Sequence, residues 1–554
     1  MEPDRVYEHL SSSYGKNHFA IDLPFQRLLG YFAPHPPDLS ALGAFAGTEL
    51  YEAADYVDKV APPRLLTWSV RGERVDEVWL DPGERRVLDR LTKEFGVNRG
   101  PYRGGNWFDH YAAIYLVSDP GIACILTLTN QTAYALVKYG SPAQQQLVPE
   151  LLGETRVARY GATWFTEIQG GSDLGTNRVE AAEEGGSLRL TGDTKYFASN
   201  AGLADYALVS ARPRGAPAGA KGLGLYLVRK VDSQGRRNFA VRRLKDKSAT
   251  RSVPTGEVEF HGAEAEPVGA PEQGIYYIME DLMVSRLANS FGALGVARKA
   301  YLEAYYFAAT RQTFGRPLRA HPLVQRDLMD MEIAIEGALA LALRAVDQFE
   351  RSWKERPPYS PAYHYARLLT HIAKNVTATV AAETTRTAME LLGGLGFLEE
   401  YPLERLHREA LVLPIWEGPS NIQALDLLEV IAKKQAHRSL LEELARTDVA
   451  SPEGKEVLRS ARARIESALA ALASASEAEA QFGAKETLST LGHGIAASLL
   501  VQVGDRLRIP RFTEVGQLYA IRFLEGRPYP FRSPAAAQRI FGIDEVAAFE
   551  ASQG

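Results

Sequence analysis

The sequence predicts a mainly α-helical protein that contains one small β domain. Short strand-like runs separated by turn residues are confined to about 156–272, and no helical pattern lies between them. Long stretches with helical apolar spacing follow that segment and are joined by short links, as in an up-and-down helical bundle. Because 554 residues are too many for one hydrophobic core, we expect several domains.

Residues 1–155 are expected to form an N-terminal helical domain. A proline-rich stretch at 32–37 separates short helical pieces near its start. The stretch 124–139 has helical spacing and is almost entirely apolar, so we expect a buried helix there. Ser141-Pro142 then begins another helix, because proline is tolerated at a first helical position.

The segment 156–272 is expected to form a small antiparallel β-barrel. Its strand candidates are short and are bounded by glycine, aspartate and proline turn signals. They are 161–166, 188–190, 195–198, 206–211, 223–229 and 256–260.

Two helical segments complete the predicted order. Residues 273–438 are expected to form a four-helix bundle, and residues 439–554 an additional helical domain that is rich in alanine at first and in arginine later. The bundle helices are expected at about 275–313, 322–353, 362–392 and 421–437.

Composition excludes some functional classes and gives an expected location. The formal net charge is -5 and the sequence pI is about 6.2, so overall charge does not favour nucleic acid or an anionic membrane as a partner. The single cysteine, Cys124, excludes an intrachain disulfide and argues for a reducing compartment. No signal-peptide pattern and no apolar run of transmembrane length is evident. We therefore expect a cytoplasmic protein.

The stretch 413–423 contains one carboxylate, Glu417, between Trp416 and Gly418. Apolar neighbours suggest partial burial, and the helical spacing that begins at Asn421 places Glu417 just before a helix. A carboxylate in an apolar wall is suited to removing a carbon-bound proton. The alternative is an acid that merely favours the helix dipole.

Two segments of the β domain have side chains suited to a planar ligand. The loop 166–173 contains Gly170 and Gly171, whose backbone N–H groups can face a ligand oxygen. Phe197 and Ser199 lie on the same face of a strand, where a ring and a hydroxyl can contact a flat ring system. A plain hairpin loop and two inward barrel residues are the structural alternatives.

Two further segments contain residue types suited to nucleotide binding. Arg311 stands where a long helix ends and can hold a pyrophosphate or simply favour the helix C-terminus. Gly393-Gly394 can admit a nucleotide against bare backbone or can stop a helix. The histidines show no spacing typical of metal ligands, so no metal site is predicted.

Taken together, these segments resemble the acyl-CoA dehydrogenase superfamily in order and spacing. The resemblance covers roughly residues 80–435. Within the superfamily, the residues of several motifs are most similar to those of the adaptive alkylation-response (AidB-like) branch. That branch also has an additional C-terminal helical domain. The motifs are Thr166-Glu167-(x)3-Gly171-Ser172-Asp173, Lys195 to Ser199, Arg311-(x)2-Phe314-Gly315, Ala388 to Phe397, Glu400-Tyr401-Pro402 and Ile415-Trp416-Glu417-Gly418.

The resemblance implies FAD as the cofactor and 2,3-oxidation of a fatty acyl-CoA. Glu417 matches the family's catalytic base, and Trp416 and Arg286 match substrate contacts. The implied FAD contacts are Phe165, Thr166, Gly171, Ser172, Phe197, Ser199 and Asn421, with Arg311, Phe314 and Gly394 gripping the FAD of a neighbouring subunit. A homo-oligomer, commonly a tetramer, and an electron-accepting flavoprotein are therefore the implied protein partners.

Two departures from the family pattern and one arginine-rich region leave other functions open. Pro419 stands where many members have a hydroxyl residue, and Met283 where many carry an acid near the CoA adenine. The arginines between Arg506 and Arg539 suggest a stress-response flavoprotein that binds nucleic acid. A lipid sensor that binds acyl-CoA and turns it over slowly is the third possibility.

Overall fold

The computed structural model describes residues 10–530 and 534–542 and confirms a mainly helical fold with a small β region. It divides into two compact units. The first comprises the described residues up to Tyr51, Trp107–Ser118 and those from Asn289 onward. The second comprises Glu52–Asn106 and Asp119–Ala288.

The helices and strands have the following bounds. The helices are α1 (Leu23–Phe32), α2 (Ser40–Ala46), α3 (Glu49–Lys59), α4 (Pro82–Asp89), α5 (Trp107–Val117), α6 (Pro120–Tyr139), α7 (Pro142–Gln145), α8 (Val148–Leu151), α9 (Gly274–Thr310), α10 (Pro322–Ser352), α11 (Pro361–Leu392), α12 (Pro402–Val412), α13 (Ser420–Ala432), α14 (His437–Arg446), α15 (Pro452–Ser474), α16 (Glu477–Phe482), α17 (Ala484–Leu507), α18 (Pro510–Tyr519) and α19 (Pro534–Phe541). The strands are β1 (Arg64–Trp68), β2 (Arg74–Trp79), β3 (Gly161–Trp164), β4 (Glu180–Glu184), β5 (Ser187–Ser199), β6 (Tyr206–Pro213), β7 (Gly224–Arg229), β8 (Ala240–Leu244), β9 (Thr255–Pro267), β10 (Gln312–Thr313) and β11 (Arg316–Pro317).

The barrel prediction is correct in location and partly wrong in strand direction. The sheet has the order β3-β6-β4-β5-β9-β7, β8 pairs with β9, and an additional β6–β7 pairing closes it. Strand β6 runs parallel to both β3 and β4, whereas the prediction was antiparallel throughout. Parallel pairing depends on a long crossover connection, which the pattern within each short strand does not reveal.

The barrel contains strands that the sequence pattern did not show. The candidates at 188–190 and 195–198 belong to one strand, β5, whose pairing with β9 shifts at three places. Strands β4 and β8 were not predicted, and neither was the β1–β2 hairpin within the N-terminal segment expected to be helix and loop. The barrel core includes Trp164, whose ring contacts Phe239 edge-on at 5.0 Å.

The bundle helices begin and end close to their predicted positions. Pro322 begins α10, and the Ser360 side chain caps α11 by accepting from the Ala362 N–H at 3.1 Å. Gly393 has φ +63° and ends α11, as the glycine signal indicated. Helix α9 ends at Thr310, a little earlier than predicted, and the β10–β11 hairpin follows it.

The arginines between Arg506 and Arg539 do not form one continuous basic surface. Arg511 is 2% exposed, and its guanidinium donates to the Glu336 carboxylate at 3.0 and 2.5 Å and to the Ile540 carbonyl at 2.6 Å. Arg511 therefore packs α18 against α10, which corrects its proposed place in a nucleic-acid contact. Arg532 lies outside the described residues. Within the described part of the chain, no helix is long and apolar enough to cross a membrane.

Candidate active site

The loop 166–173 is fixed at its base by a buried carboxylate. Glu167 is 1% exposed, and its side chain accepts from the Lys195 ammonium at 2.8 Å. It also accepts from the backbone N–H groups of Arg178 at 2.6 Å and Val179 at 3.2 Å. Burial raises the pKa of Glu167, but Lys195 and these hydrogen bonds lower it by more, so the net shift is downward.

Lys195 joins this loop to strand β5 from inside the barrel. Its side chain is fully buried, and its ammonium also donates to the Ser210 carbonyl at 2.8 Å. Burial lowers the pKa of Lys195 to about 8, although Glu167 opposes that shift. Glu167 and Lys195 were not identified as functional from the sequence. Both lie inside motifs that were identified, and this position was the available signal for them.

The far side of the loop exposes bare backbone. Gly171 and Ser172 are exposed, and Gly170 has φ +159°. A Cβ atom on Gly171 would stand 2.8 Å from the Thr166 hydroxyl oxygen, so glycine is required for this close approach. Asp173 makes the turn contact expected of a plain loop, because its carboxylate accepts from the Gly175 N–H at 3.1 Å.

A β-bulge in β5 sets which side chains face outward. Lys195 pairs with Val258 and Ala198 pairs with Gly256, so three steps on β5 oppose two on β9. Lys195 and Ala198 both point into the barrel as a result, and both are fully buried. Phe197 is 58% exposed and Ser199 is half-buried, which agrees with the predicted shared face for these two residues.

These residues are chemically suited to a flavin. A planar heteroaromatic ring with nitrogen and carbonyl acceptors needs an apolar face, hydroxyl donors and room beside the backbone. Phe197 supplies an exposed ring, Thr166 and Ser199 supply hydroxyls that are half-buried, and Gly171 leaves the space that a side chain would fill. Phe165 is 7% exposed, so its side chain packs into the unit beneath the loop.

In the first unit, Glu417 lies on a tight turn between α12 and α13. Its φ is +58°, a left-handed conformation that is unfavourable for a residue with a side chain, and Gly418 follows with φ +91°. Glu417 is half-buried. Helix α13 begins at Ser420, so the prediction that this carboxylate precedes a helix is confirmed.

A buried amide holds the backbone of this turn. The Gln423 side chain is fully buried, and its NH2 group donates to the carbonyls of Glu417 at 3.0 Å and Gly418 at 2.9 Å. Lys374 on α11 donates to the same Gly418 carbonyl at 2.8 Å. Three hydrogen bonds from α11 and α13 thus fix the strained turn.

A series of charged side chains forms hydrogen bonds that hold Gln423 in place. Because its NH2 group is used on the turn, its oxygen accepts from His371 Nδ1–H at 2.5 Å. The other ring nitrogen of His371 faces the Asp426 carboxylate, so His371 is a donor at both nitrogens and carries a positive charge. Burial raises the pKa of Asp426, but His371 and Arg367 lower it far more. No sequence pattern indicated these side-chain contacts.

The predicted substrate contacts differ in their surroundings. Trp416 is half-buried, and its indole N–H donates to the Asn289 side-chain oxygen on α9. This bond fixes the ring plane next to Glu417. Arg286 is 4% exposed, so its guanidinium lies within the protein and its role at a substrate stays a prediction.

The residues expected to grip a neighbouring subunit's FAD lie on the surface of this chain. Phe314 is 98% exposed and has φ +47°, in the hairpin between β10 and β11. Arg311 is exposed, and so is Asn421, which belongs to the other group of implied FAD contacts. Gly394 is exposed, and a Cβ atom there would meet nothing within 4 Å. Their proposed roles are not tested by their positions in one chain.

Models of known families match most of the chain. The acyl-CoA dehydrogenase middle-domain model matches residues 162–263, and the C-terminal-domain model matches residues 272–433. The N-terminal-domain model of the adaptive response protein AidB matches residues 11–157.

Individual proteins give the same result. The putative acyl-CoA dehydrogenase AidB of Escherichia coli is 32% identical over 423 residues, which cover 73% of this chain and 76% of that protein. Acyl-CoA dehydrogenase family member 11 of Caenorhabditis elegans is 28% identical over 417 residues, covering 72% of this chain and 67% of that protein.

Solved structures share the fold over nearly the whole chain. The apo form of Bd2924 has a TM-score of 0.80 and 27% identity, and covers 89% of this chain and 99% of its own. Caenorhabditis elegans ACDH-11 in complex with C11-CoA has a TM-score of 0.81 and 24% identity, covering 97% and 95%. The chain therefore belongs to the acyl-CoA dehydrogenase family, in its AidB-like branch.

Proposed function

We propose that this protein oxidises the α,β bond of a fatty acyl-CoA thioester, with Glu417 as the base that removes the α proton. The observation that supports this most directly is the braced left-handed turn at Glu417. A carboxylate on a turn whose two carbonyls are held by Gln423 extends from a fixed backbone. Catalytic groups held in this way lose little entropy on reaching the reactive geometry.

The chain's own residues supply binding and proton transfer. Glu417 takes the α proton of the thioester. Because Glu417 is half-buried, its carboxylate is less solvated than one on the open surface, which suits a catalytic base. Trp416, oriented by Asn289, lines the acyl chain beside it. The loop 166–173, Phe197 and Ser199 would hold FAD, which would supply the acceptor for the β hydride.

The substrate class and the protein partners follow from the same proposal. ACDH-11, which shares this fold, is known in complex with C11-CoA, and this supports an acyl-CoA as the substrate class. The reduced flavin then needs an electron-accepting flavoprotein. A homo-oligomer, commonly a tetramer, would place Arg311, Phe314 and Gly394 at the FAD of a neighbouring subunit. The almost complete exposure of the Phe314 ring supports a covered position in an assembly.

Anaerobic titration of the FAD-loaded protein with acyl-CoAs of graded chain length tests the reaction. We expect bleaching of the flavin absorbance, and we expect Glu417→Gln to keep FAD bound while slowing bleaching by at least about 10³-fold. The exposed Glu453→Gln serves as the matched control. An unchanged bleaching rate in Glu417→Gln would exclude this residue as the base. Spectral shifts without reduction in the unaltered protein would favour an acyl-CoA binder.

A further inference from the structure

The Ser199 hydroxyl forms a hydrogen bond with a second hydroxyl in the barrel wall. Ser199 at the end of β5 is paired directly with Thr255 at the start of β9. Their hydroxyl oxygens are 3.0 Å apart, and either one alone can be the donor. The Ser199 backbone is held separately, because its carbonyl accepts from the Trp164 indole at 2.9 Å.

Lys247 favours one direction of this hydrogen bond. Its ammonium lies 3.1 Å from the Thr255 hydroxyl oxygen. It also donates to the carbonyls of Thr250 at 2.6 Å and Val253 at 2.7 Å, which hold it in place. An ammonium has no lone pair, so it is the donor in all three contacts.

The consequence for Ser199 follows from the polarisation of the Thr255 hydroxyl. The Lys247 ammonium draws electron density from the Thr255 oxygen, which makes this hydroxyl the poorer acceptor and the better donor of the pair, so its proton is directed to Ser199. Ser199 is then an acceptor toward Thr255, and its own proton is left for a partner on its other side. That side is partly exposed, and the exposed Phe197 ring lies on the same face of β5.

We propose that Lys247 is a positioning residue that acts through Thr255 to present the Ser199 hydroxyl as a hydrogen-bond donor to the flavin. This inference rests on the proposed placement of FAD against Phe197 and Ser199. The acceptor is a ring nitrogen or carbonyl oxygen of the oxidised flavin, since both carry lone pairs. Without Lys247 the two hydroxyls can exchange roles, and Ser199 spends part of its time donating to Thr255 instead.

A purely structural role for Lys247 makes a different prediction. Its contacts with the Thr250 and Val253 carbonyls hold the turn before β9, where Thr250 has φ +52°. If that were its whole function, replacing Lys247 would loosen this turn regardless of what stands at position 199. The effect on FAD binding would then be the same with and without the Ser199 hydroxyl.

The experiment measures FAD affinity of the apoprotein by flavin fluorescence quenching, with variants in two backgrounds. We expect Ser199→Ala to raise the Kd for FAD about tenfold and to shift the flavin absorption band. Thr255→Val and Lys247→Met should each raise the Kd about threefold to tenfold in the unaltered background. In the Ser199→Ala background neither should have a further effect. In the unaltered background Thr255→Ser keeps the hydroxyl and should leave the Kd unchanged.

Each other outcome overturns a specific step. Equal fold-changes in both backgrounds would show that Lys247 and Thr255 act only through the fold. If Lys247→Met unfolds, as judged by thermal melting of the apoprotein, the nearly isosteric Thr255→Val still tests whether Thr255 orients the Ser199 hydroxyl. An unchanged Kd and spectrum in Ser199→Ala would show that the flavin does not meet this hydroxyl, so the proposed placement would fail and this inference with it.

Discussion

Replacing Gly418 with alanine is expected to destabilise the Glu417 turn by more than the strain of the backbone angle alone. At φ +91° any side chain is strained, and a Cβ atom would stand 2.9 Å from the Gln423 side-chain nitrogen and 3.2 Å from a methyl carbon of Ile422. Gln423 is fully buried, so its amide has little room to move away. It would have to leave the two carbonyls that it holds.

The magnitude has three parts. A non-glycine residue in the left-handed region costs about 1–2 kcal/mol. Loss of the two Gln423 hydrogen bonds costs about 0.5–1.5 kcal/mol each. Alanine restricts the unfolded chain and returns about 0.4–1 kcal/mol. The matched control is Gly526→Ala, because Gly526 has φ +63° and nothing within 4 Å of its Cβ position. Gly418→Ala should therefore lower the free energy of unfolding by about 1–3 kcal/mol more than Gly526→Ala does. This difference is the contribution of the two Gln423 hydrogen bonds.

Urea denaturation of both apoproteins measures the free energy of unfolding, and anaerobic acyl-CoA titration measures flavin reduction. We expect Gly418→Ala to slow reduction by at least about tenfold, because the base is displaced. Gly526→Ala should leave the rate unchanged. If both variants lose the same stability and reduce the flavin at the same rate, the Cβ atom is accommodated and Gln423 does not fix the turn.

Three further predictions test other parts of the molecule. Lys195→Met should destabilise its unit by about 3–5 kcal/mol, because Glu167 stays buried without its partner, and Tm should fall by about 6–20 °C with loss of FAD. Burial lowers the pKa of His493 to about 4. The unfolded state therefore binds more protons below pH 6.5, and about 3 kcal/mol of stability is lost as the pH falls from 6.5 to 4. His493→Gln should flatten the curve of stability against pH in that window. Arg511→Met should lower Tm without changing the salt dependence of any duplex binding, whereas a direct phosphate contact would reduce the salt slope by about 1.

The helical part of the fold could be predicted because its signals are local. Pro322 and Ser360 mark helix starts and Gly393 marks a helix end through the conformations that these residues favour by themselves. The periodic apolar spacing between such marks needs no knowledge of the packing partner. The order of helices, strands and helices followed from the same signals.

The contacts that organise the candidate site could not be predicted, because they join residues far apart in the sequence. The ion pair of Glu167 with Lys195 spans 28 positions, and the contact of His371 with Gln423 spans 52. The β5 bulge, which turns Lys195 inward and leaves Phe197 outside, depends on pairing with β9. Arg511 was placed with exposed arginines because composition does not reveal a buried partner such as Glu336.

The left-handed conformation of Glu417 has a different origin from that of Gln435. Gln435 has a similar φ of +55°, but it follows the end of α13, where a left-handed residue closes a helix. Glu417 lies beyond the end of α12 and before the start of α13, so no helix end accounts for it. Glycine would relieve the strain of about 1–2 kcal/mol and would remove the carboxylate. Because Gln423 and Lys374 stabilise the turn in this costly form, the strain is best understood as a requirement of the carboxylate's position.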